Sequence, residues 1–327
     1  VLGSFSAGGH PFDGEWRAVE GSRYFQSPYL YKENGFKEKK HAEELKAILS
    51  ANPPYKAVVE RIEKKKENKN PPLLYNLAEL QNDCSRMFKI SPDETLKIVQ
   101  ELYEKKMVTY PRTDARVLST AVAKEIHKNI SGLRGYVHGK PFAEEILEKG
   151  SYKNLEKTRY VNDKQITDHY AIVPTGQGMG ALGSLHPQAA KVYETVVRRF
   201  LSIFYPPAVY QKVSIVSVIE KERLFSSFKI LVSEGYLKVV QNSFAKKKDE
   251  SPQEDGEQTE DTGFLEILQT IKKGSELDIT GFQIKEGETS PPKRYTSGSM
   301  ILAMENAGQL IAVSYTHLRA HETLSDL

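Results

Sequence analysis

The chain has 327 residues, 39% of them apolar and 27% charged, which suits a soluble globular protein of about two domains. A formal net charge of +3 does not by itself point to nucleic acid, since a whole-chain sum hides local clustering. No run reaches the ~18–20 apolar residues of a membrane span, no signal peptide is evident, and the single cysteine, Cys84, excludes an internal disulfide.

A reducing, cytoplasmic setting without membrane association is therefore expected. In chain order, residues 1–35 carry Phe5, Phe12, Trp16, Tyr24, Phe25, Tyr29 and Tyr31 in short alternating patches, which predicts β structure. Residues 41–49 have helical spacing and stop at Asn52-Pro53-Pro54. Residues 55–64 alternate as a strand and run into Lys64-Lys65-Lys66-Glu67-Asn68-Lys69-Asn70. That charge run is most simply a solvated linker or strand end, with a phosphate-contacting edge as the sharper alternative. After Pro71-Pro72, residues 73–88 are in helical register, and Cys84 beside Leu80, Met87 and Phe88 reads as core, with no Cys or His cluster to make a zinc site.

Ser91-Pro92-Asp93-Glu94 is a helix start, with Ser91 as N-cap, Pro92 at the first helical position and Glu94 placed for a capping box. This helix is expected to reach about Lys105. Val108-Thr109-Tyr110-Pro111 then leaves it extended, because a residue before proline is pushed out of the α region. A helix over 118–129 capped by Ser119 or Thr120 follows, and another over 188–204 ends at Tyr205-Pro206-Pro207. Alternation predicts strands starting at Val213/Ile215, over 225–232 and over 236–240. Residues 245–262 have no apolar anchor and read as a disordered surface loop. A strand over 276–284 and a helix over 297–311 complete the pattern. The fold class expected is α+β: a helical module of residues 67–175 inserted in a β-rich domain of residues 1–66 and 176–285.

Two runs carry chemistry. In Thr109-Tyr110-Pro111-Arg112-Thr113-Asp114, a tyrosine sits on a proline-stiffened turn two residues from a guanidinium. Tyrosine is a poor nucleophile at neutral pH, and a neighbouring arginine favours the phenolate and can also bind a phosphate oxygen. Such a pair suits attack on a phosphodiester. Taken alone, the run is as well explained by a structural turn. In Ile166-Thr167-Asp168-His169-Tyr170-Ala171, His169 stands between Asp168 and an apolar segment, placed to donate to a phosphate or to assist proton transfer, or simply satisfied at a strand end.

Four blocks together resemble the type IA DNA topoisomerases, and the topoisomerase III branch in particular. They are Leu74-Tyr75-Asn76-Leu77-Ala78-Glu79-Leu80-Gln81 with Leu102-Tyr103-Glu104, the tyrosine run, the Asp168-His169-Tyr170-Ala171-Ile172-Val173-Pro174-Thr175 run, and Pro291-Pro292-Lys293-Arg294-Tyr295-Thr296-Ser297-Gly298 through Met304-Glu305-Asn306-Ala307-Gly308. The resemblance implies a multidomain enzyme with a β-rich gate or arch domain, a helical domain carrying the active tyrosine, and the start of a helical DNA-binding domain at 286–312. It implies that Tyr110 attacks a scissile phosphate to form a 5′-phosphotyrosine link, that Arg112 stabilises charge there, and that His169 contacts the phosphate. Thr109, Thr113, Asp114 and Asp168 would shape the site, and Lys293, Arg294 and Gln81 would contact DNA.

The same resemblance implies single-stranded or underwound DNA as substrate, strand passage and religation without ATP, and a monomer. It also implies Mg²⁺ for the full enzyme, bound by an acidic Toprim domain that none of these blocks matches, so no metal ligand is assigned in this chain and the chain alone is expected to be inactive. Tyr170 stands where many relatives have a second histidine. Residues 313–327 do not continue the family pattern and read as an unrelated or frameshifted tail, in which His317, His321 and Glu322 miss the His-Glu-x-x-His order. The alternative function is a non-catalytic single-stranded DNA-binding module that keeps the scaffold. A tyrosine-recombinase-like strand transferase lacks the distributed Arg/His set it needs.

Overall fold

A computed structural model describes residues 1–51, 55–244, 258–260 and 262–307. In chain order the elements are strands β1 (Leu2–Ala7), β2 (His10–Arg17), β3 (Leu30–Lys32) and β4 (Gly35–Phe36), helix α1 (Lys39–Leu49) and strand β5 (Ala57–Lys69). Helices α2 (Leu77–Phe88), α3 (Pro92–Glu104), α4 (Thr120–Gly132), α5 (Lys140–Lys149) and α6 (Pro187–Ser202) follow. Then come β6 (Ala208–Ile219), β7 (Glu222–Ser233), α7 (Leu237–Val240), β8 (Gln258–Glu260), α8 (Thr262–Thr270), β9 (Glu276–Gln283) and α9 (Ser297–Glu305).

The chain divides into two compact units: residues 1–69, 208–234 and 249–291, and residues 70–207, 235–248 and 292–327. The first is built on a sheet in the order β2-β1-β9-β5-β6-β7-β8, antiparallel except for the parallel β7–β8 pair. Glu15–Arg17 of β2 also pair with Arg223–Phe225 of β7, which closes six strands into a ring and removes the free edges that invite aggregation. Its interior is filled by Phe5, Phe12, Trp16, Val213, Ile215, Leu224, Phe228 and Ile230, with Leu45 and Leu49 of α1 and Phe264 and Leu268 of α8 packed in. The buried Glu222 carboxylate is satisfied by the Trp16 indole at 2.7 Å and the Arg23 amide at 2.9 Å, so its charge is not left unpaired.

In the second unit α2 packs on α3 and α9, α3 on α6, α4 on α5 and α6 on α7. Helix α6 buries Val192, Tyr193, Val196, Val197, Phe200 and Leu201. It therefore belongs to this helical unit, whereas the sequence grouped residues 176–285 with the β-rich segments. Three helix caps and one buried ion pair fix its helices. Asn76, Ser91 and Ser119 each accept the N3 backbone N–H of the helix they precede. Arg199 of α6 donates to Leu73 O at 2.9 Å, Tyr75 Oη at 3.0 Å and Asp83 Oδ2 at 2.9 Å, with its guanidinium carbon 4.0 Å from the Tyr75 ring centre. Burial first, and then the Asp83 charge, push the Tyr75 phenol far above its ordinary range. Cys84 is buried with no exposed surface, and its thiol is pushed up to about 12 chiefly by that burial.

The structure corrects several sequence expectations. The first helix of the second unit starts at Leu77 rather than 73, because Leu74 and Tyr75 are buried in an extended segment where Tyr75 bridges Ile172. Helix α4 starts at Thr120 rather than 118, since Ser119 is its cap. Of the two plain readings of residues 64–69, strand end holds and linker does not: they continue β5, paired residue by residue with Val213–Ala208 of β6. Residues 237–240 form a helical turn rather than a strand: Tyr236 N–H bonds to Pro206 O at 3.0 Å and starts the turn, and Val239 is buried. Residues 258–260, expected in a disordered loop, pair with Phe228–Ile230. The rest of that loop, the Asn52-Pro53-Pro54 stop and the tail over 313–327 lie outside the described residues.

Candidate active site

The site is assembled by backbone pairing between two segments of the helical unit about 60 residues apart. Helix α3 ends in a left-handed Lys106 (φ 60°), with Lys106 N–H on Tyr103 O at 2.8 Å and Met107 N–H on Leu102 O at 2.9 Å. That six-to-one closure is the Schellman arrangement, and it turns the chain sharply into an extended stretch. Val108 then bridges Pro174, Thr109 N–H donates to Val173 O at 3.0 Å, and Thr175 N–H donates to Met107 O at 3.0 Å. The Thr109 hydroxyl grips the facing segment twice, donating to Ala171 O at 2.9 Å and accepting from Val173 N–H at 2.9 Å.

On the far side of Tyr110 the chain is pinned again. Thr113 Oγ1 donates to His169 O at 3.0 Å and accepts from Ala115 N–H at 3.1 Å, and Thr113 O accepts from Leu77 N–H at 3.1 Å. Thr109 and Thr113 thus hold the backbone on either side of the Tyr-Pro-Arg turn. Behind it, α4 presses on the partner segment: Asn129 Nδ2 donates to Pro174 O at 2.9 Å, and a Cβ at Gly132 would lie 2.0 Å from Gly176 O. No side chain larger than hydrogen fits there.

This double pinning brings the Tyr110 and His169 rings to 4.3 Å between centres, tilted by 39°, with Tyr103 edge-on to Tyr110 at 5.5 Å. Tyr103, Tyr110, His169 and Tyr170 line an open cleft of about 490 Å³ together with Lys106 and Gln177. Burial raises the Tyr170 phenol above its ordinary value. A second cleft, of about 460 Å³, shares His169 and is lined by Arg112, Thr113, Asp114, Asp168, Gln81, Ile301 and Glu305. Among the described residues, neither the Tyr110 hydroxyl nor the Arg112 guanidinium makes a hydrogen bond or ion pair. Tyr110 thus lines the first cleft and Arg112 the second, each with its polar group uncommitted.

Other expected residues fall differently. Gln81 is buried, and its amide nitrogen donates to Pro92 O at 3.0 Å. It ties α2 to the start of α3 as well as lining the second cleft. Asp114 and Asp168 are exposed at that cleft. Lys293 and Arg294 are fully solvent-facing in the extended segment before α9. Among the described residues no three carboxylate, imidazole or thiol groups converge to hold a metal ion.

Sequence reasoning missed two members of the site. Asn76 was quoted within its block but not singled out, although an Asn three residues before Glu79 is a helix-cap signal. Glu305, on α9, reaches the second cleft, and its carboxyl is raised above the usual range by burial and by Glu79 and Asp114, against the opposing hydrogen bond from Asn76 and the charge of Arg116. Nothing in the sequence pairs residues 76 and 305.

A family model described as DNA topoisomerase matches residues 16–309. "DNA topoisomerase 3" of Bacillus licheniformis is 34% identical over 254 residues, covering 76% of this chain and 32% of that protein. "DNA topoisomerase 3" of Bacillus subtilis is 32% identical over 251 residues, with 76% and 32% covered. The solved structure of full-length topoisomerase I from Thermotoga maritima aligns with a TM-score of 0.58 at 21% identity, covering 93% of this chain and 43% of that one, which shows a shared fold. The chain spans about a third of the length of the curated relatives it matches.

Proposed function

The chain belongs to the type IA DNA topoisomerase family, and on that premise we propose that it supplies the nucleophile, and one wall of the active site, of a topoisomerase III-like enzyme. Tyr110 attacks a backbone phosphate of single-stranded or underwound DNA. An O–P bond forms to the tyrosine as the P–O3′ bond breaks, which leaves a 5′-phosphotyrosine and a free 3′-hydroxyl. The phenolic proton leaves Tyr110, and a proton is delivered to the departing 3′-oxygen. One phosphate ester replaces another, so religation by the 3′-hydroxyl needs no ATP. Arg112 is suited to neutralise the phosphate and favour the phenolate. His169, its ring against that of the nucleophile, is suited to donate to a phosphate oxygen.

Lys293 and Arg294 are proposed backbone contacts, which makes binding salt-sensitive. The closed β unit is proposed as part of the gate through which a second strand passes. Mg²⁺ is proposed for the complete enzyme, which we place in the cytoplasm as a monomer, and no residue of this chain is assigned to the metal. Among the described residues no helix is long and apolar enough to cross a membrane.

The observation that carries the reading is the 4.3 Å approach of Tyr110 and His169, set by hydrogen bonds flanking the nucleophile. The test joins this chain to the N-terminal segment of Bacillus subtilis DNA topoisomerase 3 and follows covalent capture of a labelled single-stranded oligonucleotide. Wild type forms the adduct and Tyr110→Phe does not. Equal adducts from both remove Tyr110 as nucleophile, and salt-sensitive binding without any adduct favours a non-catalytic DNA-binding module. The chain by itself is expected to leave negatively supercoiled plasmid unrelaxed.

A further inference from the structure

The Asn76 side chain sits at a junction of three segments. It is 1% exposed. Its Oδ1 accepts Glu79 N–H at 2.9 Å and caps α2, while its Nδ2 donates to Asp114 O at 3.1 Å and to Glu305 Oε1 at 2.6 Å. A carboxamide has two N–H donors, and both are committed, one to the turn that follows Tyr110 and one to α9. The backbone repeats the tie, since Leu77 N–H donates to Thr113 O at 3.1 Å. Helix α9 is seated close enough for this: a Cβ at Gly298 would lie 2.9 Å from Asn82 Cα and 3.0 Å from Ser85 Cβ. Nearby, Arg116 Nη1 donates to Glu79 Oε1 at 2.5 Å, so the charged groups around Glu305 are Glu79 on α2 and Asp114 and Arg116 on the turn.

We propose that Asn76 is a positioning residue through which the seating of α9 sets the turn carrying Tyr110, Arg112 and Asp114. The chemistry explains why asparagine stands here rather than aspartate. Both residues cap a helix equally well. Only the amide can also donate, and a carboxylate at this position would face the Glu305 carboxylate. Because α9 follows directly on the segment carrying Lys293 and Arg294, a strand held there acts on the cleavage turn through a single side chain. Its purpose in catalysis rests on the reading of Tyr110 as nucleophile; the mechanical coupling does not.

The test is backbone hydrogen exchange on the 327-residue chain. Glu305 is exposed, so Glu305→Ala leaves the fold intact. It is expected to speed exchange of the Leu77 and Ala115 amides about tenfold, the scale of one lost charge-assisted hydrogen bond. The Thr109 amide, held by Val173 O, stays protected. Asn76→Asp exposes the same two amides and also those of Met300 and Asn306, because a nine-residue helix that loses its seat frays. Adding Glu305→Gln to Asn76→Asp restores protection in α9, as the glutamine amide donates to the new carboxylate. A change confined to α9 in Glu305→Ala, or no rescue in the double variant, overturns the proposal. In the joined enzyme, Glu305→Ala is expected to lower adduct formation at saturating oligonucleotide without raising the half-saturating concentration. Absence of any adduct in wild type would count against the functional reading and leave the exchange result standing.

Discussion

Asp83→Ala is the most severe test of what supports the site from below. Asp83 and Arg199 are each only 14% exposed, and the 2.9 Å ion pair between them is shared with the Tyr75 hydroxyl, which donates to Asp83 at 2.6 Å. Removing the carboxylate leaves a buried guanidinium with Leu73 O, the Tyr75 hydroxyl oxygen and an aromatic face as its partners. Breaking one side of a buried pair costs about 3–5 kcal/mol. The partners that remain place this case near the lower end, at about 3 kcal/mol. For a unit of this size that is a fall of roughly 6–12 °C in the melting temperature of the helical unit. The damage should reach the site, because Tyr75 O accepts Ile172 N–H at 2.8 Å, three residues from His169. Thermal and urea unfolding of Asp83→Ala, Arg199→Met and the double variant provide the assay. The double variant should be less destabilised than the sum of the singles by about 2 kcal/mol, since it leaves no stranded charge. An Asp83→Ala variant within 1 kcal/mol of wild type, or strictly additive singles, would refute the reasoning.

Thr109→Val removes a hydroxyl that serves Ala171 O and Val173 N–H, two groups in a buried segment, at a cost of about 2 kcal/mol. Thr109→Ser should keep both bonds and most adduct formation, and an inactive serine variant would show that the methyl rather than the hydroxyl matters. Glu145 is held down to about 2 by Lys149, the Tyr205 hydroxyl and Lys238. A carboxyl depressed in the folded state is protonated more readily when unfolded, so its contribution is full above pH about 4.5 and is lost as pH falls toward about 2. Acid unfolding of Glu145→Gln should therefore have a shallower limb in that window, and parallel curves would refute the assignment. Cys84, pushed up to about 12, should react with a thiol reagent at pH 8 roughly a thousandfold more slowly than a free thiol until the protein unfolds. Rapid labelling of the native chain would contradict the buried placement.

What could be read from sequence was local. Ser91 and Ser119 announce helices because a cap acts within three residues: Ser91 accepts Glu94 N–H, without the reciprocal Glu94 bond of a capping box among the described residues, and Ser119 rather than Thr120 caps α4. Tyr110-Pro111 likewise predicts an extended approach to the turn, and the Val108–Pro174 bridge agrees. The errors arose where a local pattern was overruled by a distant partner. Leu74 and Tyr75 fit helical register with Leu77, yet Tyr75 is claimed by Ile172, and so the helix waits for Asn76 to cap it. The β-branched run after Gly235 alternates like a strand, but Pro206 O captures Tyr236 N–H and bends it into a turn. Within the site, Tyr110 and His169 could each be suspected alone, whereas their contact depends on Thr109 and Thr113 bridging segments about 60 residues apart.

The distribution of bonds around the site is informative in itself. Hydrogen bonds are concentrated on residues that touch no substrate in the proposed reaction: Thr109, Thr113, Asn76 and the backbone of 171–175. The groups proposed to act chemically, the Tyr110 hydroxyl and the Arg112 guanidinium, are bonded to nothing among the described residues. If Arg112 were paired with Asp114 or Asp168, binding a phosphate would first cost the breaking of that pair, and part of its stabilisation would be spent before the transition state. Rigid backbone under uncommitted side chains avoids this, and it places the precision of the site in the scaffold rather than in the reactive groups. It follows that changes at Thr109 or Asn76, which contact no DNA in this reading, should lower the rate of cleavage more than the affinity for DNA, whereas changes at Lys293 or Arg294 should do the reverse.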